Sequence, residues 1–176
     1  LAKTIKKVGV LVGVCFGFVG NRMIEVYGRE AGRLMLEGAT PEQIDKVIFD
    51  FGLAMGPFTM NDMVGLDLGW RARKMVGGSN EVTARIPDAV CELGRYGQKN
   101  GKGYYVYAEG DRTPRPDPEA DAVIKKVAED LGYPAKTFTD EEILKRCMYP
   151  LINIGAKLLE EGHALRDSDI DTVYVN

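Results

Sequence analysis

The sequence predicts an all-α fold built from two repeated helical units, and three patterns carry that prediction. Apolar residues recur at helical spacing over long windows, glycines and prolines punctuate them, and the stretch from Arg22 to Glu37-Gly38 returns from Arg146 to Glu161-Gly162.

Each element can be justified in chain order. Val8, Val10, Leu11, Val12 and Val14 form a short apolar run closed by glycines, a strand or extended segment running into a turn. Val19, Met23, Val26, Tyr27, Ala31, Leu34 and Met35 then place one apolar stripe along a helix of about five turns, with Gly38 as its stop. Thr40-Pro41-Glu42-Gln43 supplies a cap residue, a proline at the first helical position and a glutamine at the capping-box position. The helix opened there has Ile44, Val47, Ile48 and Phe51 on its core face and ends at Gly52. After the loop Met55-Gly56-Pro57-Phe58 come Met60, Met63 and Val64, and Gly65-Leu66-Asp67 opens another helix through Trp70 and Met75. A further helix is predicted from Pro87 to Leu93.

Gly94, Gly97, Gly101 and Gly103 then make a turn-rich strap ending in Tyr104-Tyr105-Val106-Tyr107. Pro114, Pro116 and Pro118 among charges read as a stiff linker. Beyond it, helices are predicted from about Glu119 to Leu131 and from Asp140 to Glu161. Pro150 inside the second of these should kink it or remove one backbone bond.

The repeat organises these elements. Leu34 matches Leu158, both long helices end in Glu-Gly, and after a two-residue insertion Ile44-Asp45 and Val47 fall on Ile170-Asp171 and Val173. One helix pair is used twice, and nothing in the second copy corresponds to the loop and helices after Phe51. The expected division is an extended tail at 1–13, a first helical domain at 14–108, a linker at 109–118 and a second, incomplete repeat at 119–176. The first residues lack an initiator Met and the last are apolar, so the chain reads as a piece of something longer.

Composition excludes several functions. A net charge of -3 with scattered Lys and Arg argues against nucleic acid as the main partner. Cys15, Cys91 and Cys147 are far apart without metal-ligand spacing, a pattern of a reducing compartment, and no metal site is expected. No signal peptide or run of membrane length is visible, so a soluble intracellular protein with no transmembrane segment is expected.

Asn21 is the main candidate for chemistry. In Gly17-Phe18-Val19-Gly20-Asn21-Arg22 it stands at the mouth of the first long helix. Two readings are open: a helix cap, or a fixed polar handle for a ligand or catalytic group at the positive helix end. Gly13, Gly17 and Gly20 do not make a dinucleotide fingerprint. Met55, Met60 and Met63 beside Pro57 and Phe58 could line an apolar ligand channel or simply fill the core. Trp70 with Arg71, Arg73 and Lys74 reads as a solvated helix face, Asp45 and Asp171 as structural features of the repeat, and His163 as a surface residue past a helix end.

The motifs together resemble a known family. Gly17-Phe18-Val19-Gly20-Asn21-Arg22, the run from Glu37 to Asp45, Met55-Gly56-Pro57-Phe58, Asp62-Met63-Val64-Gly65-Leu66-Asp67 and the strap from Tyr96 to Tyr105 look like the C-terminal helical domain of the 3-hydroxyacyl-CoA dehydrogenases. Glu160-Glu161-Gly162 and Asp169-Ile170-Asp171 extend the likeness to the second repeat. Two tandem units resemble the long form found in multifunctional fatty-acid β-oxidation enzymes, whose helical domains are similar to the 6-phosphogluconate dehydrogenase C-terminal fold.

The resemblance implies the rest. The activity would be NAD-dependent oxidation of (S)-3-hydroxyacyl-CoA to 3-ketoacyl-CoA. NAD and the catalytic His with its Glu partner would belong to a preceding Rossmann domain, so no cofactor-binding residue is expected in this chain. Asn21 would be catalytic, bonding the reacting oxygen or the catalytic His. Met55, Pro57 and Phe58 would bind substrate. Lys145 takes the place of Asn21 in the second repeat, which would carry no chemistry. Partners would be the acyl-CoA substrate, the Rossmann domain, an enoyl-CoA hydratase domain and another copy of the chain. The compartment would be bacterial cytoplasm, or a peroxisome or mitochondrion. With His163 as its only His, the chain alone should not turn over substrate. The alternatives are a structural module that assembles subunits, or the substrate domain of another hydroxy-acid dehydrogenase, the latter disfavoured by the tandem repeat.

Overall fold

The computed structural model describes residues 2–175. Among them the helices are α1 (Phe18–Leu36), α2 (Pro41–Phe51), α3 (Pro57–Val64), α4 (Leu66–Met75), α5 (Arg85–Glu92), α6 (Pro118–Asp130), α7 (Asp140–Glu160) and α8 (Asp167–Val175). No strand forms among the described residues; isolated antiparallel bridges join Gly97 to Lys102, Lys102 to Val106 and Val106 to Arg115. The all-α prediction holds.

The chain divides into two compact units. One comprises the residues up to Glu30 with those from Lys145 onward, and the other comprises Ala31–Leu144. These units cut across linear order, so α1 and α7 each contribute residues to both.

In the Ala31–Leu144 unit, α2 packs on α3, α4 on α5 and α5 on α6. Thr40 caps α2 by accepting from the Gln43 amide at 3.1 Å, and Pro41 opens the first turn where no N–H is needed. The Gln43 side chain does not close the capping box. Its Nε2 donates instead to the part-buried carbonyl of Phe138, 3.1 Å away, which turns the side chain toward that distant segment and away from the Thr40 amide. Ile44, Val47 and Ile48 are buried as predicted, but Phe51 is exposed in the last position before Gly52 (φ 121°) turns the chain away. The proline segment is tied down where Val106 and Arg115 exchange both backbone hydrogen bonds, at 3.0 and 3.1 Å.

In the other unit, residues 7–15 have no regular structure although their sequence suits a strand. A strand needs a neighbour for its backbone groups, and no partner strand lies beside this run among the described residues. Pro150 is carried inside α7, which continues through it. Gly155 of α7 gives Met23 and Ile170 room to pack, since a Cβ there would meet the Met23 methyl at 3.3 Å. Arg22 and Arg146, matched positions of the repeat, each form an ion pair with the other copy: Arg22 with Glu161 and Arg146 with Glu30.

Candidate functional site

Asn21 is the fourth residue of α1, past the capping position. Its backbone N–H donates to the carbonyl of Gly17 at 3.1 Å, so it already sits in the helical ladder. Its side chain is exposed and makes no hydrogen bond to any described residue. It is therefore not the cap of its own helix. Gly17 (φ 74°) and Phe18 (φ 50°) both adopt the left-handed region just before it. For a bulky residue such as Phe18 that conformation costs on the order of 1–2 kcal/mol, so its surroundings must hold it.

Those surroundings come from the far end of the sequence. The Arg22 guanidinium meets the Glu161 carboxylate with two bonds, 2.5 and 3.0 Å. The pair holds the Glu161 carboxyl below its ordinary range, chiefly through the hydrogen bonds from Arg22. Gly13 N–H donates to the carbonyl of His163 at 2.8 Å, and the Tyr174 hydroxyl donates to the carbonyl of Gly20 at 3.3 Å. His163 is half-buried, its Nε2 3.7 Å from Glu161.

The loop at Met55–Phe58 is organised by Asp45. From buried α2, Oδ1 accepts the Phe58 amide at 2.9 Å, while Oδ2 accepts the Thr59 amide at 2.8 Å and the Thr59 hydroxyl at 2.7 Å. Pro57 has no N–H to offer, so this carboxylate satisfies the next two donors of α3 and complements its positive end. Gly56 is required, because a Cβ there would lie 2.3 Å from the Asp45 carboxylate. Of the three residues assigned to substrate, Met55 is half-buried and borders a groove of about 340 Å³ with Phe49, Tyr105, Pro114 and Pro116. Pro57 is buried, and Phe58 is buried against the edge of Tyr104, ring centres 5.0 Å apart.

A second buried carboxylate, Asp62, organises the strap. It is fully buried, and it accepts the amides of Tyr104 and Tyr105 at 2.9 and 3.0 Å and the Tyr107 hydroxyl at 3.0 Å. Burial pushes its carboxyl up to about 6 against those three donors. Asp45 is likewise raised by burial, with its donors opposing. Burial also pushes the Tyr105 and Tyr107 hydroxyls up, so both remain donors. Behind the strap, Arg95 is 1 % exposed; it donates to the Gly103 carbonyl at 2.8 Å and pairs with Asp117 and Glu119 at 2.7 and 2.6 Å.

Asp62, Arg95 and the Arg22–Glu161 pair had no assignment from sequence. Only the last left a trace there, in the arginines at matched repeat positions. The basic residues near Trp70 do form a helix face with local partners: Arg73 pairs with Asp88, Arg71 lies 3.4 Å from Asp67, and Lys74 sits 3.9 Å over the Trp70 ring. Asp45 is structural, whereas its repeat counterpart Asp171 is exposed. Among the described residues no group of three or more His, Cys, Asp or Glu could hold a metal, and no helix is long and apolar enough to cross a membrane.

Residues 17–107 match the family profile described as 3-hydroxyacyl-CoA dehydrogenase, C-terminal domain. The chain belongs to this family. Over its whole length it is 42 % identical to the human peroxisomal bifunctional enzyme, covering 26 % of that protein. Over 99 % of its length it is 34 % identical to the rice peroxisomal fatty acid beta-oxidation multifunctional protein, covering 25 % of it. The chain thus spans about a quarter of the length of these curated relatives. The crystal structure of the dehydrogenase part of a multifunctional enzyme from C. elegans superposes with a TM-score of 0.79 at 36 % identity, over 98 % of this chain and 39 % of that one. The human and rice relatives are multidomain proteins, so this dehydrogenase C-terminal domain has a place in a larger polypeptide in each of them.

Proposed function

We propose that this chain supplies the helical part of an NAD-dependent (S)-3-hydroxyacyl-CoA dehydrogenase of fatty-acid β-oxidation, in a peroxisomal multifunctional enzyme, and that Asn21 is its one catalytic residue. The observation that carries this reading is the exposed, unpartnered amide of Asn21 within the segment that matches the family, held on a strained but braced turn.

On this reading NAD and the base that takes the hydroxyl proton are carried by a nucleotide-binding domain elsewhere in the full-length protein, and this chain contributes the amide. The chemistry of Asn21 sets what it can do. Its N–H₂ donates and its carbonyl accepts, so it can hold the 3-oxygen of the substrate or the base that takes the hydroxyl proton. The Asn21 backbone is fixed at the first turn of α1, which limits the positions from which its amide meets the developing charge. Met55 is the member of the loop that meets the acyl chain, with Pro57 and Phe58 forming the packed wall behind it.

The test is Asn21→Ala in the full-length protein that contains this chain, assayed with a 3-hydroxyacyl-CoA and NAD. Loss of one oxyanion donor lowers kcat/KM by about 100-fold, with an unchanged thermal midpoint. Near-normal kcat/KM would sink the assignment.

A further inference from the structure

We infer that the second repeat, which has Lys145 where the first has Asn21, positions that amide: Glu161, His163 and Tyr174 fasten the turn that carries Asn21. The inference rests on the function proposed above, and goes beyond it by assigning work to the copy that has lost the amide.

The contacts bracket Asn21 on both sides in sequence. Upstream, Gly13 is bonded to the His163 carbonyl, and the approach is so close that a Cβ on Gly13 would lie 2.9 Å from His163 Nδ1. Immediately before Asn21, the Gly20 carbonyl accepts from the Tyr174 hydroxyl, and a Cβ on Gly20 would touch Val173 at 3.4 Å. Immediately after it, Arg22 grips Glu161 with both arms of the guanidinium, a geometry that fixes direction as well as distance. One side chain thus ties the first turn of α1 to the residue that follows α7. Asn21 itself has no side-chain bond to any described residue. Its placement is therefore set by its neighbours, whose partners Glu161, His163 and Tyr174 all lie beyond the end of α7.

The left-handed Gly17 and Phe18 explain why fastening is needed. A turn holding Phe18 at φ 50° relaxes toward ordinary backbone angles unless both sides are held, and relaxation would swing Asn21. A functional side chain must stay within about 0.5 Å and 10–20° of its productive position. Glu161 is thus a positioning residue acting through Arg22.

The experiment uses the full-length protein with Glu161→Ala, Glu161→Gln, Asn21→Ala and the Asn21→Ala/Glu161→Ala double variant. Amide exchange over residues 13–24 is expected to quicken at least 10-fold in Glu161→Ala and less in Glu161→Gln, with residues 41–51 of α2 unchanged. The kcat for 3-hydroxyacyl-CoA oxidation should fall about 10-fold in Glu161→Ala, with KM for NAD unaltered. In the Asn21→Ala background the same change should cost nothing further, because its effect passes through the amide. Unchanged exchange over 13–24 overturns the inference. So does an unchanged kcat in Glu161→Ala when Asn21→Ala is impaired, or a full additional loss in the double variant. Faster exchange combined with a silent Asn21→Ala would instead refute the proposed role of Asn21 and leave the fastening of the turn standing.

Discussion

The Tyr105 hydroxyl donates to Asp45 Oδ2 at 2.9 Å, while the amide of the same residue donates to Asp62 at 3.0 Å. One strap residue therefore joins two buried carboxylates, the first anchoring the start of α3 and the second anchoring the strap itself. Tyr105→Phe removes one of four donors from Asp45 and should cost about 1–2 kcal/mol of stability. The lost donor favours the ionised form, so the Asp45 carboxyl rises further in the variant. The deficit should accordingly be larger at pH 8 than at pH 4 in urea titrations; an equal deficit at both would contradict this role.

Asp62 makes a signed pH prediction. Its folded value, about 6, lies above the ordinary 3.8, so its contribution is fully present below about 4 and is lost as pH rises through 6. A shift of about two units corresponds to roughly 3 kcal/mol. The stability difference between the wild type and Asp62→Asn, measured by chemical unfolding, should move against the wild type by that order between pH 4 and 7. It should be flat above pH 7. A difference independent of pH would mean that Asp62 does not titrate in this window.

Gly103 cannot carry a side chain. A Cβ there would lie 2.0 Å from Asp62 Oδ1, and one on Gly97 would lie 2.2 Å from the Asp62 carbonyl. Gly103→Ala must push the strap off the carboxylate and leave buried donors and acceptors unmatched, at a cost of about 3 kcal/mol or more. Gly110→Ala is the comparison, since a Cβ there would meet nothing within 4 Å and only the φ of 76° opposes the change. Thermal melts should show the larger loss for Gly103.

Arg95 should behave as a structural cation. Arg95→Met strands the Gly103 carbonyl and leaves Asp117 and Glu119 without their shared partner. Glu119 is exposed and regains water, so the cost comes mainly from the stranded Gly103 carbonyl and the half-buried Asp117, about 1–3 kcal/mol. Arg95→Lys should recover only part of this, because a single ammonium cannot reach the carbonyl and both carboxylates in the geometry of a guanidinium. Recovery of full stability by lysine would show that charge alone matters.

Much of the fold was legible because helices are written in local patterns. Thr40-Pro41, the stripe from Val19 to Met35 and Gly52 each act within a few residues of themselves, and α1 and α2 begin and end close to where those signals stand. The capping box failed for the opposite reason, since the Gln43 amide donates to Phe138, 95 positions away, and that contact turns its side chain from the Thr40 amide. Asp62 and Arg95 were invisible for a similar reason: the partners of Asp62 are 42 to 45 positions distant, and no spacing rule announces a carboxylate that will be buried.

By itself, then, the sequence determined the helices, the tandem repeat, the family motifs and Asn21 as the residue to watch, because periodicity, caps and motif residues act over short range. Only the tertiary structure decided what holds them. It brought Glu161 to Arg22 across 139 positions, placed Asp45 and Asp62 under the α3 loop and the strap, and left the Asn21 amide without a partner of its own among the described residues. Burial and hydrogen bonding between distant segments make those choices, and a chain acquires both only when it folds.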